Sequence, residues 1–328
     1  MLPRPDLCDD RTPAGVEVFQ LTTDPEAPCS HIYMEAQIFT PDSARFLLHY
    51  HGNPHWSDRA DPRHRYLLCD AADGTMSELI AETGAIAPSV TPDGRSVYYF
   101  VDEAAPGGGR ITLKRVNLDG TGRETVMVVD RPLPGTRFRP SKLYSLSTIS
   151  SDGTRLAISC FLGDGVHEGA PFGLLVFNLA RAEVNLVMSG PTWCNMHPQY
   201  CRARDPEAAH DILIQENHGS RCGADGEIHT LVSGLGADIH VIRDDGMDFR
   251  NMPWGRDGRE FCQGHQCWIG RETRAITSTF TEPEQACRLI AGEAAPFLDH
   301  TGSATADAVR GDLSRDIPRP RFFHFATD

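Results

Sequence analysis

A chain of 328 residues that is 40% hydrophobic can bury a sizeable core, yet it holds no apolar run long enough to span a membrane. Its net charge of −14 argues against nucleic acid, which wants a basic face. An anionic ligand would need local positive charge, from a bound cation or a few arginines.

In chain order, the first residues, Met1-Leu2-Pro3-Arg4-Pro5-Asp6, lack the apolar stretch of a secretory signal. Ten cysteines are scattered without a Cys-x-x-Cys. Both features point to a cytoplasmic protein with reduced thiols, Cys69 and Cys160 serving as small hydrophobes in strands. Cys262 and Cys267 could pair, although nothing demands it. Val16 to Thr22 reads as a strand of the kind that seals a ring by pairing with the last repeat. Without that last repeat it would be an open edge.

A phrase then recurs. Phe39-Thr40-Pro41-Asp42 runs into Arg45-Phe46-Leu47-Leu48-His49, and Val90-Thr91-Pro92-Asp93-Gly94 into Ser96-Val97-Tyr98-Tyr99-Phe100. Ile149-Ser150-Ser151-Asp152-Gly153 runs into Arg155-Leu156-Ala157-Ile158-Ser159. Each is a strand end, a turn and a new strand. The aspartates at 42, 93, 152 and 205 are 51, 59 and 53 residues apart. Further strands follow at Tyr66–Asp70, Leu113–Asn117, Leu174–Asn178 and Ile239–Arg243, several ending in Asp-Gly turns. His49, His51, His55 and His64, with Asn53 and Trp56, read as a loop inserted at the top of the first repeat.

Repeats of this length signal a radial or stacked architecture. Four hairpin-linked strands per repeat make a propeller blade. No stretch carries a long, capped helical period. The predicted fold is therefore all-β, a β-propeller of four-stranded blades with about six represented, forming a single domain over residues 1–328.

The polar chemistry is concentrated late in the chain. His197, His210, His218, His229, His240 and His265 fall within a 69-residue stretch. In a propeller, loops from separate blades meet around one mouth, so distant histidines can share a pocket. Each also has a plainer reading, as a hydrogen-bonded structural residue. That reading is preferred for His210, His229 and His240, the last alternating with apolar neighbours as if facing a sheet surface. His197, His218 and His265 keep different company: Trp193, Gln199, Asn217, Gln266 and Trp268, residues that suit a sugar site. Trp193 and Trp268 read either as stacking platforms or as core. There is no P-loop, no Gly-x-Ser-x-Gly elbow and no His-Glu-x-x-His.

The order of phrases resembles the oligogalacturonate lyases, metal-dependent seven-bladed propellers that cleave pectin oligomers. The matching segments are Cys29-Ser30-His31, Trp193 to Pro198, His218-Gly219 and Gly264-His265-Gln266-Cys267-Trp268. The resemblance implies β-elimination on a small acidic oligosaccharide, with a divalent metal, usually Mn2+, as cofactor. It implies His265 as the Brønsted base, with His31, His197, Gln199, Asn217, His218, Gln266 and Trp268 lining the substrate. A later histidine would hold the metal, and His324 is preferred over His300. Two departures stand out. The chain stops before the family's last blade, so it is either incomplete at the C-terminus or closes with fewer blades. Where the family has an arginine, this chain has Asp238, and Arg202, Arg204, Arg221 or Arg243 would have to compensate. The alternative reading is a non-catalytic, TolB-like propeller that binds a sugar or peptide. No nucleic-acid or membrane partner is expected, and oligomeric state is not legible.

Overall fold

The computed structural model describes residues 1–10, 12, 15–23, 29–33, 35–50, 60–104, 109–225, 228–230, 236–252 and 261–280. For 261–265 and 276–280 only the backbone is described. Four antiparallel sheets of four strands follow one another along the chain. The first comprises Cys29–Ser30, Arg45–Tyr50, Arg65–Asp70 and Met76–Ile80; the second Ala85–Val90, Ser96–Glu103, Arg110–Asn117 and Glu124–Val129. The third comprises Arg139–Ile149, Arg155–Gly163, Phe172–Asn178 and Glu183–Gly190; the fourth Gln199–Tyr200, Asp211–Asn217, Ala237–Arg243 and Arg250–Asn251. A hairpin of Phe261–Trp268 and Ala275–Phe280 comes next. Four complete blade-like meanders are thus described, and the rest of the expected six or so lie outside the described residues. Among those residues, no helix is long and apolar enough to cross a membrane.

The chain divides into two compact units, one of Met1–Asp102 with Thr112–Val126, the other of Glu103–Ile111 with Met127–Asp328. The first unit holds the first sheet and most of the second. The other holds the third and fourth sheets and the late hairpin.

The recurring phrase builds one kind of corner three times. The hydroxyls of Thr40, Thr91 and Ser150 donate to Asp42, Asp93 and Asp152 at 2.6, 2.6 and 2.5 Å. Each carboxylate also accepts the backbone N–H two residues on, at 3.1, 3.0 and 3.0 Å. Each hydroxyl accepts the N–H five residues on, at 3.0 Å in all three. The Thr hydroxyl, more than any other group, holds Asp42 and Asp93 below the usual carboxylate range. At Asp152 burial pushes upward, but the bonds from Ser150 and Thr154 outweigh it and the net shift is downward. Gly94 completes the second corner with a φ of +66°, and a Cβ there would stand 2.8 Å from Pro41 Cδ in the first. The fourth predicted corner differs. Asp205 accepts from Glu207 and Ala208 N–H at 3.0 and 2.9 Å, and the chain makes a short 3-10 turn, Ala208–His210, before the next strand.

Strand alternation sets the core of the second unit. Ile212, Ile214 and Ile242 pack on Ala157, Leu174 and Val176. On the other face of the fourth sheet, Leu213, Ile239 and Val241 pack with Trp268. Burying side chains of this size stabilises by roughly 1.5–3 kcal/mol each before entropy is counted.

Two local expectations change. His49 is not in a loop: it lies inside Arg45–Tyr50, buried, with its ring 5.3 Å from that of His64 and 4.6 Å from Tyr66. Its apolar alternation partner Leu47 faces inward, and period two carries His49 with it. His51, Asn53, His55 and Trp56 lie outside the described residues. Of the predicted strand at 16–22, Phe19–Gln20 is extended, and it pairs with Leu2–Pro3.

Candidate functional site

One end of the fourth sheet collects the ligand-type side chains. Asp211–Asn217 runs antiparallel to Ala237–Arg243, with Glu216 directly opposite Asp238 and Ile214 opposite His240. Residues two apart on a strand share a face, so Asp238 and His240 point the same way. Glu216, as the direct partner of Asp238, joins them. One carboxylate oxygen from each acid and one His240 ring nitrogen lie within 4.8 Å of one another.

The cluster is braced from several sides. The Thr192 hydroxyl donates to Glu216 Oε1 at 2.5 Å. His240 places Nε2 3.4 Å from Glu216 Oε2 and Nδ1 3.1 Å from Asn251 Oδ1. His218 Nε2 stands 3.5 Å from Asp238 Oδ2. The His240 side chain is 4% exposed, those of Glu216 and Asp238 20% and 22%. Like charges directly opposite on paired strands repel, so a positive charge between these acids is stabilising. Two hard oxygen donors and an imidazole nitrogen form a donor set that fits a divalent cation such as Mn2+, Mg2+ or Zn2+.

Sequence reasoning treated His240 as a residue facing a sheet surface, and it does face one, buried against Trp193 and Phe249. It registered Asp238 only as a missing arginine, and it passed over Glu216. The missing information was strand register. Nothing in the sequence says that position 216 opposes position 238.

Several of the predicted sugar-site residues are brought together, and their amide or indole N–H groups donate to backbone carbonyls. Asn217 Nδ2 donates to the carbonyls of Cys194 and Asn195 at 2.5 and 3.1 Å. Gln199 Nε2 donates to the Gln266 carbonyl at 2.5 Å, and Gln266 Nε2 to the His197 carbonyl at 3.4 Å. Trp268 Nε1 donates to the Gln199 carbonyl at 2.9 Å, and its ring lies in the core. These bonds fasten the segment leading into Gln199–Tyr200, where Asn195 and His197 adopt φ of +53° and +47°. Left-handed backbone at two non-glycine residues so close together is strained and needs such bracing. The Cys194 thiol in this segment is pushed up by burial and lies 2.8 Å from the Tyr144 hydroxyl. His197 itself is buried. His31 is exposed and belongs to the first unit. His265 sits in Phe261–Trp268 with its side chain outside the described part, and His300 and His324 lie outside the described residues altogether.

His210 is held between Asp244, 2.7 Å from Nδ1, and Asp152, 3.7 Å from Nε2, as a structural residue. His229 is half exposed near Glu168. Of the four arginines offered in place of the one at 238, Arg204 and Arg221 are exposed. Arg243 pairs with Asp211 at the sheet end opposite Asp238, and Arg202 follows Tyr200 toward that same far end. Burial pushes Arg202 below its ordinary value.

No known protein family matches the chain by sequence, and no curated protein does either. Solved structures do match. An oligogalacturonate lyase from Vibrio parahaemolyticus superimposes with a TM-score of 0.54 and 17% identity, over 82% of this chain and 64% of its own. An oligogalacturonate lyase in complex with manganese gives 0.53 and 18%, over 79% and 62%. The chain spans less than two thirds of the length of either lyase. At such identities the likeness is one of fold, and the fold of this chain is the β-propeller of those lyases.

Proposed function

We propose that this protein is a lyase-like propeller enzyme that cleaves a uronate oligosaccharide, such as oligogalacturonate, by β-elimination with the help of a divalent cation. The observation that carries this reading is the meeting of Glu216, Asp238 and His240 at one sheet end, in a fold shared with lyases. Glu216, Asp238 and His240 would hold the cation, with Mn2+ proposed because a lyase neighbour is described as a manganese complex. His324 is proposed as a further ligand. When bound, the ion supplies positive charge against the negative charge that develops beside the substrate carboxylate.

The remaining roles belong to side chains of the chain. His265 is the proposed base that removes the C5 proton, after which the O4 glycosidic bond breaks and a 4,5-unsaturated sugar is left. An imidazole suits that task because its unperturbed pKa is about 6.5. His218, which carries Asp238 beside it, and His197 would bind hydroxyls or the leaving oxygen. Gln199, Asn217, Gln266 and Trp268 would act by positioning the strained 194–197 segment, and His31 is proposed on the substrate side. A reducing, cytoplasmic setting is proposed with this reading.

The test is digalacturonate with Mn2+, followed by the ultraviolet absorbance of the unsaturated product. Wild type should form it, and His265→Ala should lose at least about 100-fold in rate. Absence of product from any uronate would sink the reading. One observation favours the non-catalytic, sugar- or peptide-binding propeller instead: the side-chain N–H groups of Gln199, Asn217, Gln266 and Trp268, proposed around the catalytic sugar, donate to backbone carbonyls. Metal content of the purified protein separates the two, one bound cation supporting the enzyme and none the binding module.

A further inference from the structure

Three rings gather beside the carboxylate cluster. Phe249 lies 4.6 Å from the His240 ring at a tilt of 34°. Trp193 meets both nearly edge-on, 5.2 Å from His240 and 6.0 Å from Phe249. Trp193 is wedged: it packs on two cores, and a Cβ on Gly190 would come within 2.8 Å of its Cδ1. Phe249 is set differently, with 44% of its surface exposed.

The backbone turns sharply just before Phe249. Asp248, just before it, has a φ of +50°, and its carboxylate is held by Arg250 Nε at 3.2 Å. Arg250 in turn is anchored to Asp211 at 2.6 Å. His240 joins the ring shelf to the acids, since its ring lies against Phe249 and its Nε2 faces Glu216.

An exposed aromatic ring joined through His240 to two carboxylates matches the two sides of a pyranose. The C–H face of the sugar lies on the ring, and its hydroxyls donate to carboxylates or share a cation with them. We infer that Phe249, backed by His240 and Trp193, is the stacking platform of a sugar subsite whose hydroxyls meet Glu216 and Asp238. The inference deepens the lyase reading and rests on it for the class of ligand.

The experiment is calorimetric titration of digalacturonate into the full chain with saturating Mn2+. Phe249→Ala and Phe249→Leu, which both remove the flat ring, should weaken binding roughly tenfold, the worth of one good aromatic contact. Phe249→Tyr, which keeps the ring, should bind as wild type does. Manganese bound per chain should be unchanged in all three. Equal affinity for wild type and Phe249→Ala overturns the inference, and so does a wild type that binds no sugar. Ring-dependent binding without unsaturated product counts against the lyase chemistry alone and leaves the platform standing.

Discussion

The two ends of the fourth sheet use the same strands and the same residue types to opposite effect. At one end, Asp244 accepts from His210 at 2.7 Å and from the Tyr200 hydroxyl at 3.1 Å, while Asp211 is paired with Arg250 at 2.6 Å. Every acid there is matched by a donor, and burial together with Asp244 pushes the Tyr200 phenol well above its ordinary value, keeping it protonated. At the other end Glu216 and Asp238 face one another across the ladder, with histidines as their closest bases. One arrangement is complete within the protein. The other sets two carboxylates against one another with imidazoles 3.4 and 3.5 Å away, and that difference separates a structural histidine from a candidate ligand.

The comparison breaks most visibly at Asp244. Asp244→Ala leaves the buried Tyr200 hydroxyl without its acceptor and should cost about 1–3 kcal/mol in denaturant unfolding, with cation binding intact. Loss of the cation in that variant would mean the two ends are not distinct. The opposite sign is expected at Asp238. In metal-free buffer, Asp238→Asn removes a cross-strand repulsion and should raise stability by roughly 0.2–1 kcal/mol. Wild type, but not this variant, should then gain about 2.7 kcal/mol at a cation concentration 100 times its dissociation constant. Thermal unfolding with and without Mn2+ reads both; a variant that gains as much as wild type removes Asp238 from the site.

The smallest effect concerns the corners, which resemble the complete end in miniature. Asp42, Asp93 and Asp152 have folded pKa values below their unfolded ones. Their stabilisation is therefore fully present above the ordinary carboxylate pKa of about 3.9 and is lost as pH falls through the lower folded values. Unfolding midpoints should stay level down to about pH 4 and decline below it, and Asp93→Asn should make that decline shallower. An unchanged decline in the variant would show that the acid sensitivity comes from elsewhere.

The fold was legible because its signals are local. A Thr or Ser, an Asp two residues later and a new strand fit within one corner, so a linear reading finds them at Thr40, Thr91 and Ser150. Asp205 had the same spacing but not the same chemistry: no Thr or Ser precedes it by two residues, and the chain answers with a longer connection. The site was legible only in part. Asn217, His218, Gln266 and Trp268 were singled out by their company, and Asn217 and Gln266 do meet the segment 194–197 at the fourth sheet. Their backbone partners were hidden, because which carbonyl an amide meets depends on which backbone the fold brings within reach. Glu216 was hidden altogether. Its significance comes from a partner 22 residues away, and that pairing exists only once the ladder has formed.

The corners carry one more implication. Each holds its Asp carboxylate and its Thr or Ser hydroxyl within six consecutive residues, and gives the sheet beside it one carbonyl, from Ala44, Arg95 or Thr154, to accept the N–H of Ala71, Leu118 or Leu179. Such an element is portable: the strands it joins are at liberty to drift in composition so long as their alternation survives. A chain assembled from corners whose side chains bond so locally can keep its shape while sharing little more than punctuation with others of the same build.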